Sequence, residues 1–310
     1  SNNLTDAFAA PGTYTLTCGS KTYALTVMQS AHIPALFLGT ASGNMANIDR
    51  SPDHSVSEVG EMLLLEANGS VAYDSTLAEV KGRGNTTWNG AKKPYQIKLD
   101  EKTDLFGMGK AKTWVLLANY YDPSLLRNKI ALELANQLAL AYTSQSVYVD
   151  VYANHQYLGN YLLCEKVQIG KNRVEIADLE AETENANPGL DLSTCARGGA
   201  TTGAQAGSAK WYDIPNDPDD ITGGYLLEFE YNYRYPSEQS GFVTDRGVPV
   251  IIDSPKYASE AQVAYIQNEV QELEDAIFGE NGCNAQGNHY SDYIDMDSLI
   301  YRCWCKQQGL

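Results

Sequence analysis

Basic residues are scarce in this sequence: 22 lysines and arginines stand against 39 acids, for a formal net charge of −17. That balance repels phosphate backbones and anionic headgroups, which argues against nucleic acid and membrane surfaces as partners. No apolar run approaches the ~20 residues of a bilayer-spanning helix, so no membrane span is expected. The opening residues SNNLTDAFAAPGTY have neither the basic n-region nor the apolar core of a signal peptide. Histidine is rare, and His32, His54, His155 and His289 share no ligand spacing. The six cysteines form no CxxC pair, which removes zinc-ribbon and thioredoxin-type chemistry. Free, mostly buried thiols are the simpler expectation, with one or two disulfides left open.

Several catalytic signatures are also missing. There is no GxxxxGK[ST] phosphate loop, no GxGxxG, no HRD, and no GxSxG or SxxK of a serine hydrolase. The segment DLFGMG (104–109) places a leucine between Asp104 and Phe106 and precedes the first long helical pattern, so it is not a kinase DFG.

What is present reads as a folded α+β protein. With 43% hydrophobic residues over 310 positions, the chain buries a large core as one large domain or two smaller ones. TYTLTCGSKTYALTV alternates around Gly19-Ser20 as a hairpin, and MLLLEA and SVAYDSTLAEVKG form a second one turning at Asn68-Gly69. PALFLG (34–39) and WVLLAN (114–119) read as strands, and KPYQIKLD puts Tyr95, Ile97 and Leu99 on one face. A helix is expected from Pro123 to about Ala141, capped by Asp122, with Leu126, Ile130, Leu134 and Leu138 along one side. A hairpin turning near His155-Gln156 follows. Residues 180–222 are rich in Gly, Ala, Thr, Asp and Glu and are expected to hold no packed element, with 182–210 the most mobile internal stretch. Strands at 223–232 and 248–253, a helix from Ser259 to Phe278 and a last helix from Asp297 complete the pattern.

The most unusual local sequence is KGRGNTTW (81–88), with two glycines flanking Arg83. Such a loop offers backbone N–H groups and a guanidinium to an anion, although an ordinary hairpin connection with an incidental arginine has the same look. Lys93 and Lys98 on the next strand are candidate phosphate ligands, and Glu133 is a candidate lysine partner, against the simpler reading of a solvated helix face. Glu228 and Glu230 fall on one face of a strand, with Asp253 on another; paired acids can serve acid–base or metal chemistry, although in so acidic a chain coincidence is the simpler reading.

Taken in order, KGRGNTTW, KKPYQIKLD, LFGMGKAKTWVLLANYYDPSLLRNKIALELA, VYVDVYANHQYLGNYLLCEKV and DDITGGYLLEFE resemble the spore coat protein H (CotH) kinase family, as does the stretch VIIDSPKYASEAQVAYIQNEVQELEDAIF. The resemblance spans about residues 34 to 305. It implies an atypical protein-kinase-like fold using ATP and Mg to phosphorylate Ser/Thr on secreted or coat proteins. It further implies a bacterial, secreted or cell-surface location, a protein substrate or cell-surface partner, and a monomer. Carried over by position, Arg83, Asn85, Lys93, Lys98 and Glu165 form the nucleotide-binding set, with Arg127 and Asn128 in the helix motif and a hinge at Glu165-Lys166. Residues 1–30 are then the tail of a preceding β-rich module, 31–180 an N-terminal lobe, 181–222 the insertion and 223–310 the start of a C-terminal lobe. The first lobe is expected to be an antiparallel sheet carrying the 123–141 helix, and the second to be more helical.

In the family pattern, the helix matched by 297–305 is followed by a segment with W-D-x-D that supplies catalytic and metal-binding carboxylates. Here Trp88, Trp114, Trp211 and Trp304 are followed by Asn, Val, Tyr and Cys. The resemblance therefore places catalytic residues beyond Leu310 and leads to the expectation of a catalytically incomplete chain. Two other readings stand beside it: a secreted binding or adhesion module on the same scaffold, and a carbohydrate-binding module suggested by 21 tyrosines and four tryptophans.

Overall fold

The computed structural model describes residues 12–27, 32–200 and 203–308, and within them the chain forms two compact units. The first holds the chain up to Ala139 and Thr143–Lys166; the second holds Leu140–Tyr142 and Val167–Gln308.

The first unit opens with the hairpin expected around Gly19-Ser20, β1 (Gly12–Cys18) and β2 (Lys21–Val27), in register from Gly12↔Val27 to Cys18↔Lys21. There follow β3 (Ala35–Thr40), a single-turn helix α1 (Ala46–Asp49), β4 (Ser57–Leu65), β5 (Val71–Gly82), β6 (Tyr95–Asp104) and β7 (Lys110–Leu117). Helix α2 (Arg127–Gln137) and the hairpin β8 (Ser146–Ala153) and β9 (Gln156–Glu165) complete the unit. That hairpin turns on Asn154 and His155, both at positive φ, as a tight two-residue connection requires.

The expected antiparallel sheet is present and closes further into a barrel, in the order β3-β4-β5-β6-β7-β9-β8. Closure comes from one parallel contact between β3 and β8, running from Ala35↔Asp150 to Leu38↔Ala153. Asp150 N donates to the Pro34 carbonyl at 2.9 Å and Asn154 N to that of Leu38 at 2.8 Å. Closing the sheet leaves no strand edge bare. The interior is filled from every strand, with Leu36, Leu64, Val80, Ile97, Trp114, Val149 and Leu163 all buried. A seven-stranded barrel differs from the sheet lobe that a protein-kinase architecture implies, although the mixed α+β class holds.

Helix α2 is also shorter than its apolar periodicity suggested. Asp122 accepts from Ser124 N and Oγ and from Arg127 N, and Leu125 sits at φ 60°, so residues 122–126 form a corner before the helix begins. The leucine stripe faces outward, with Leu126, Ile130 and Leu138 exposed, while Ala135 is the buried position.

The second unit comprises α3 (Leu179–Ala186), β10 (Arg197–Gly199), β11 (Ala209–Tyr212), β12 (Leu226–Phe229), β13 (Ser240–Val243), β14 (Pro249–Ser254), α4 (Glu260–Phe278) and α5 (Met296–Gln308). Its strands form one sheet, ordered β10-β11-β13-β14-β12, and with the long helices α4 and α5 the part from 223 onward is more helical than the first unit, as expected. The stretch expected to lack packed elements contributes α3, β10 and β11. Its composition conceals buried anchors: Thr183, Leu192 and Tyr212. Gln262 Nε2 donates to Thr183 Oγ1 at 2.8 Å, tying α3 to the start of α4. Helix α4 begins with a capping box in which Ser259 and Gln262 satisfy each other's backbone. No disulfide joins the six cysteines, and of these only Cys164 and Cys305 are buried, fewer than expected.

Candidate phosphate-binding pocket

Gly82 ends β5 directly beneath the Trp88 indole, where a Cβ would overlap the ring. Gly84 has φ +89°, a conformation that favours glycine. After it, Thr86–Asn89 form a 3₁₀ turn, with Trp88 N bonded to the Asn85 carbonyl at 3.1 Å. Trp88 is buried and its Nε1 donates to the Ser51 carbonyl at 2.8 Å. Two glycines and an anchored tryptophan thus fix the loop, and Arg83 is held by its own backbone N–H on the Pro94 carbonyl at 3.2 Å.

Arg83 lines a pocket of about 300 Å³ together with Tyr120, Tyr121, Asp122, Arg127 and Asn128. The opposite wall is the corner before α2. Asn128 Nδ2 donates to Asn119 Oδ1 at 2.7 Å, and Asn119 Nδ2 to the Leu125 carbonyl at 3.2 Å. The same carbonyl accepts from Tyr148 Oη at 2.7 Å, fixing the corner to β8. Hydrogen bonds from Ser124 foremost, and then from the Arg127 backbone, hold the Asp122 carboxyl below its ordinary range. Arg127 Nε lies 3.7 Å from Asp122, so this arginine has a carboxylate partner.

Arg83 is different. It is half-buried, and burial pushes its guanidinium pKa downward. Among the described residues, its side chain makes no hydrogen bond or ion pair. A guanidinium remains charged even when desolvated, so this one is a cation with five donors available to an anion.

The other sequence-predicted site residues do not line this pocket. Asn85 is exposed at the start of the 3₁₀ turn. Lys93 Nζ donates to the Trp88 carbonyl at 2.6 Å. Lys98 is exposed on β6 between Glu79 and Thr113. Glu165 is buried at the end of β9, where its carboxylate accepts from Gln145 N at 2.7 Å. Glu133 pairs with Lys129 on its own helix at 3.3 Å, the solvated-face arrangement. Glu230 pairs with Arg234, while burial first, and Glu230 next, push the Glu228 carboxyl up. The pocket instead recruits Tyr120, Tyr121 and Asp122. Their signal in the sequence is the run NYYDP, where two aromatics meet a turn-forming Asp-Pro.

A family model described as CotH kinase protein matches residues 80–302. The chain belongs to this family. The match begins three residues before Arg83 and runs through both units, so the whole pocket lies within the CotH region. No curated protein matches the chain. The family implies ATP and a divalent metal. The pocket's polar wall includes a guanidinium with no hydrogen bond or ion pair among the described residues, an arrangement open to an anion such as phosphate. Among the described residues, no three His, Cys, Asp or Glu side chains cluster as metal ligands.

Proposed function

We propose that this chain supplies the phosphate-anchoring part of a CotH-type kinase domain, binding the phosphates of ATP in the Arg83 pocket. Membership of the CotH kinase family supports a kinase-like role in general. The observation that carries the finer reading is the Arg83 guanidinium, which shares a pocket with Arg127 and Asn128 yet has no partner among the described residues. Its planar fork suits two phosphate oxygens at once, and partial desolvation strengthens such a contact. Arg127 stays neutralised by Asp122 until a ligand competes for it. Tyr120 and Tyr121, both exposed at the mouth, offer ring faces to the remainder of the nucleotide. Bound Mg would neutralise phosphate charge. The serine/threonine acceptor, a secreted or coat protein outside a bacterial cell, belongs to the same proposal.

Isothermal titration with ATP tests the reading. Measurable binding by the natural chain, lost in Arg83→Ala, supports it. Equal binding by both chains would remove Arg83 from the site. No binding by either favours the rival reading, an adhesion module that reuses the scaffold.

A further inference from the structure

Gly90 closes the 3₁₀ turn with φ −68° and ψ 155°, a conformation open to every residue type. Backbone geometry therefore does not demand glycine here, in contrast to Gly84. Space does. A Cβ at Gly90 would stand 2.7 Å from Cδ1 and 3.1 Å from Cγ of Tyr120, and 3.3 Å from the Thr87 carbonyl oxygen. Tyr120 lines the Arg83 pocket and packs edge-on to Tyr121, with ring centroids 5.1 Å apart. Tyr121 Oη in turn reaches the Thr86 carbonyl at 3.5 Å. The two pocket walls thus meet at two points: Tyr120 against Gly90, and Tyr121 against Thr86.

We propose that Gly90 is a positioning residue for this pocket, acting through Tyr120. The inference rests on the pocket being the ATP-phosphate site. An added methyl leaves one side of the contact free to move. The turn is anchored by buried Trp88 and its bond to Ser51, whereas Tyr120 is 47% exposed. The tyrosine yields. As its ring shifts, Tyr121 loses Thr86, and the wall that carries Arg127 and Asn128 separates from the one that carries Arg83.

The test is a double-mutant cycle in ATP affinity across the natural chain, Gly90→Ala, Tyr120→Ala and the double variant, measured far below each unfolding midpoint. Under those conditions global destabilisation alone leaves affinity unchanged. Gly90→Ala is expected to weaken ATP binding about tenfold, and to cost less than about twofold when added to Tyr120→Ala, because no ring remains to be displaced. If Gly90→Ala binds ATP as the natural chain does, or if the two losses simply multiply, the positioning role is overturned while the pocket assignment stands. If the natural chain does not bind ATP, the pocket assignment falls and the role of Gly90 falls with it. Should Gly90→Ala alone fail to fold, the comparison of Tyr120→Ala with the double variant decides: equal affinity supports the role, and a tenfold gap overturns it.

Discussion

Lys93 Nζ donates to the Trp88 carbonyl at 2.6 Å and lies 4.8 Å from the centre of the Trp88 ring. The lysine therefore secures the tryptophan that anchors the KGRGN loop. Trp88 also meets Tyr95 edge-on at 6.4 Å, and Tyr95 Oη donates to Asp49 at 2.8 Å. A cation engaged in this way supports the pocket from behind, while Arg83 faces into it.

That division predicts different phenotypes for neighbouring cations. Arg83→Ala is expected to lose about 1.5–3 kcal/mol of ATP binding, the range for a charge-assisted contact, with thermal stability nearly unchanged. Lys98→Ala, an exposed position outside the pocket, is expected to change neither. Calorimetry and thermal melts on both variants check this; a large drop in melting temperature for Arg83→Ala would make that residue structural.

Gly82→Ala is expected to destabilise the first unit. The new methyl would overlap the Trp88 indole, and the ring cannot retreat without losing its Ser51 bond. Overpacking of this kind costs about 1–3 kcal/mol. Urea unfolding measures it, and an unchanged midpoint would show that Trp88 has room to move.

Lys210 predicts a pH dependence. Its ammonium is buried on β11, donates to the Tyr235 and Glu238 carbonyls and lies over the Tyr235 ring. Burial foremost, and then the charge of Arg197, push its pKa down to about 8. Between about 8 and the unfolded value near 10.4, the unfolded chain retains a proton that the native state has released. This group's contribution to stability therefore rises with pH across that window. Buried Tyr161 and Tyr225, whose pKa values are raised by desolvation, act in the opposite sense above about pH 10. Lys210→Met should flatten the stability profile between pH 8 and 10 relative to the natural chain. Parallel profiles would remove the assignment.

Transfer of labelled γ-phosphate, to the chain itself or to a serine-rich acceptor, is expected to be undetectable with Mg²⁺ or Mn²⁺. Phosphoryl transfer relies on metal-bridged phosphates and an acid that positions the nucleophile. Of the candidate acids Glu228, Glu230 and Asp253, Glu230 is engaged with Arg234, and Glu165 accepts from the Gln145 backbone. Labelling above a no-enzyme blank would overturn this expectation.

Local patterns were legible in the sequence because they depend on near neighbours. The alternation of Tyr95, Ile97 and Leu99, the turn at Asn68-Gly69 and the capping at Ser259 all reappear in the structure. Arg83, singled out by its flanking glycines, and Arg127 and Asn128 in the helix motif line one pocket. Family membership was also readable, because it rests on the order of long segments. Barrel closure was not, since the β3–β8 pairing joins residues more than a hundred positions apart and leaves no periodic trace. Nor did periodicity reveal that the leucine stripe of α2 faces outward: spacing defines a face, and packing alone decides which face is covered. The surroundings of the lysines were decided the same way. Lys93 and Lys98 stand close together in one short segment, and only the folded surroundings place one against Trp88 and leave the other in solvent.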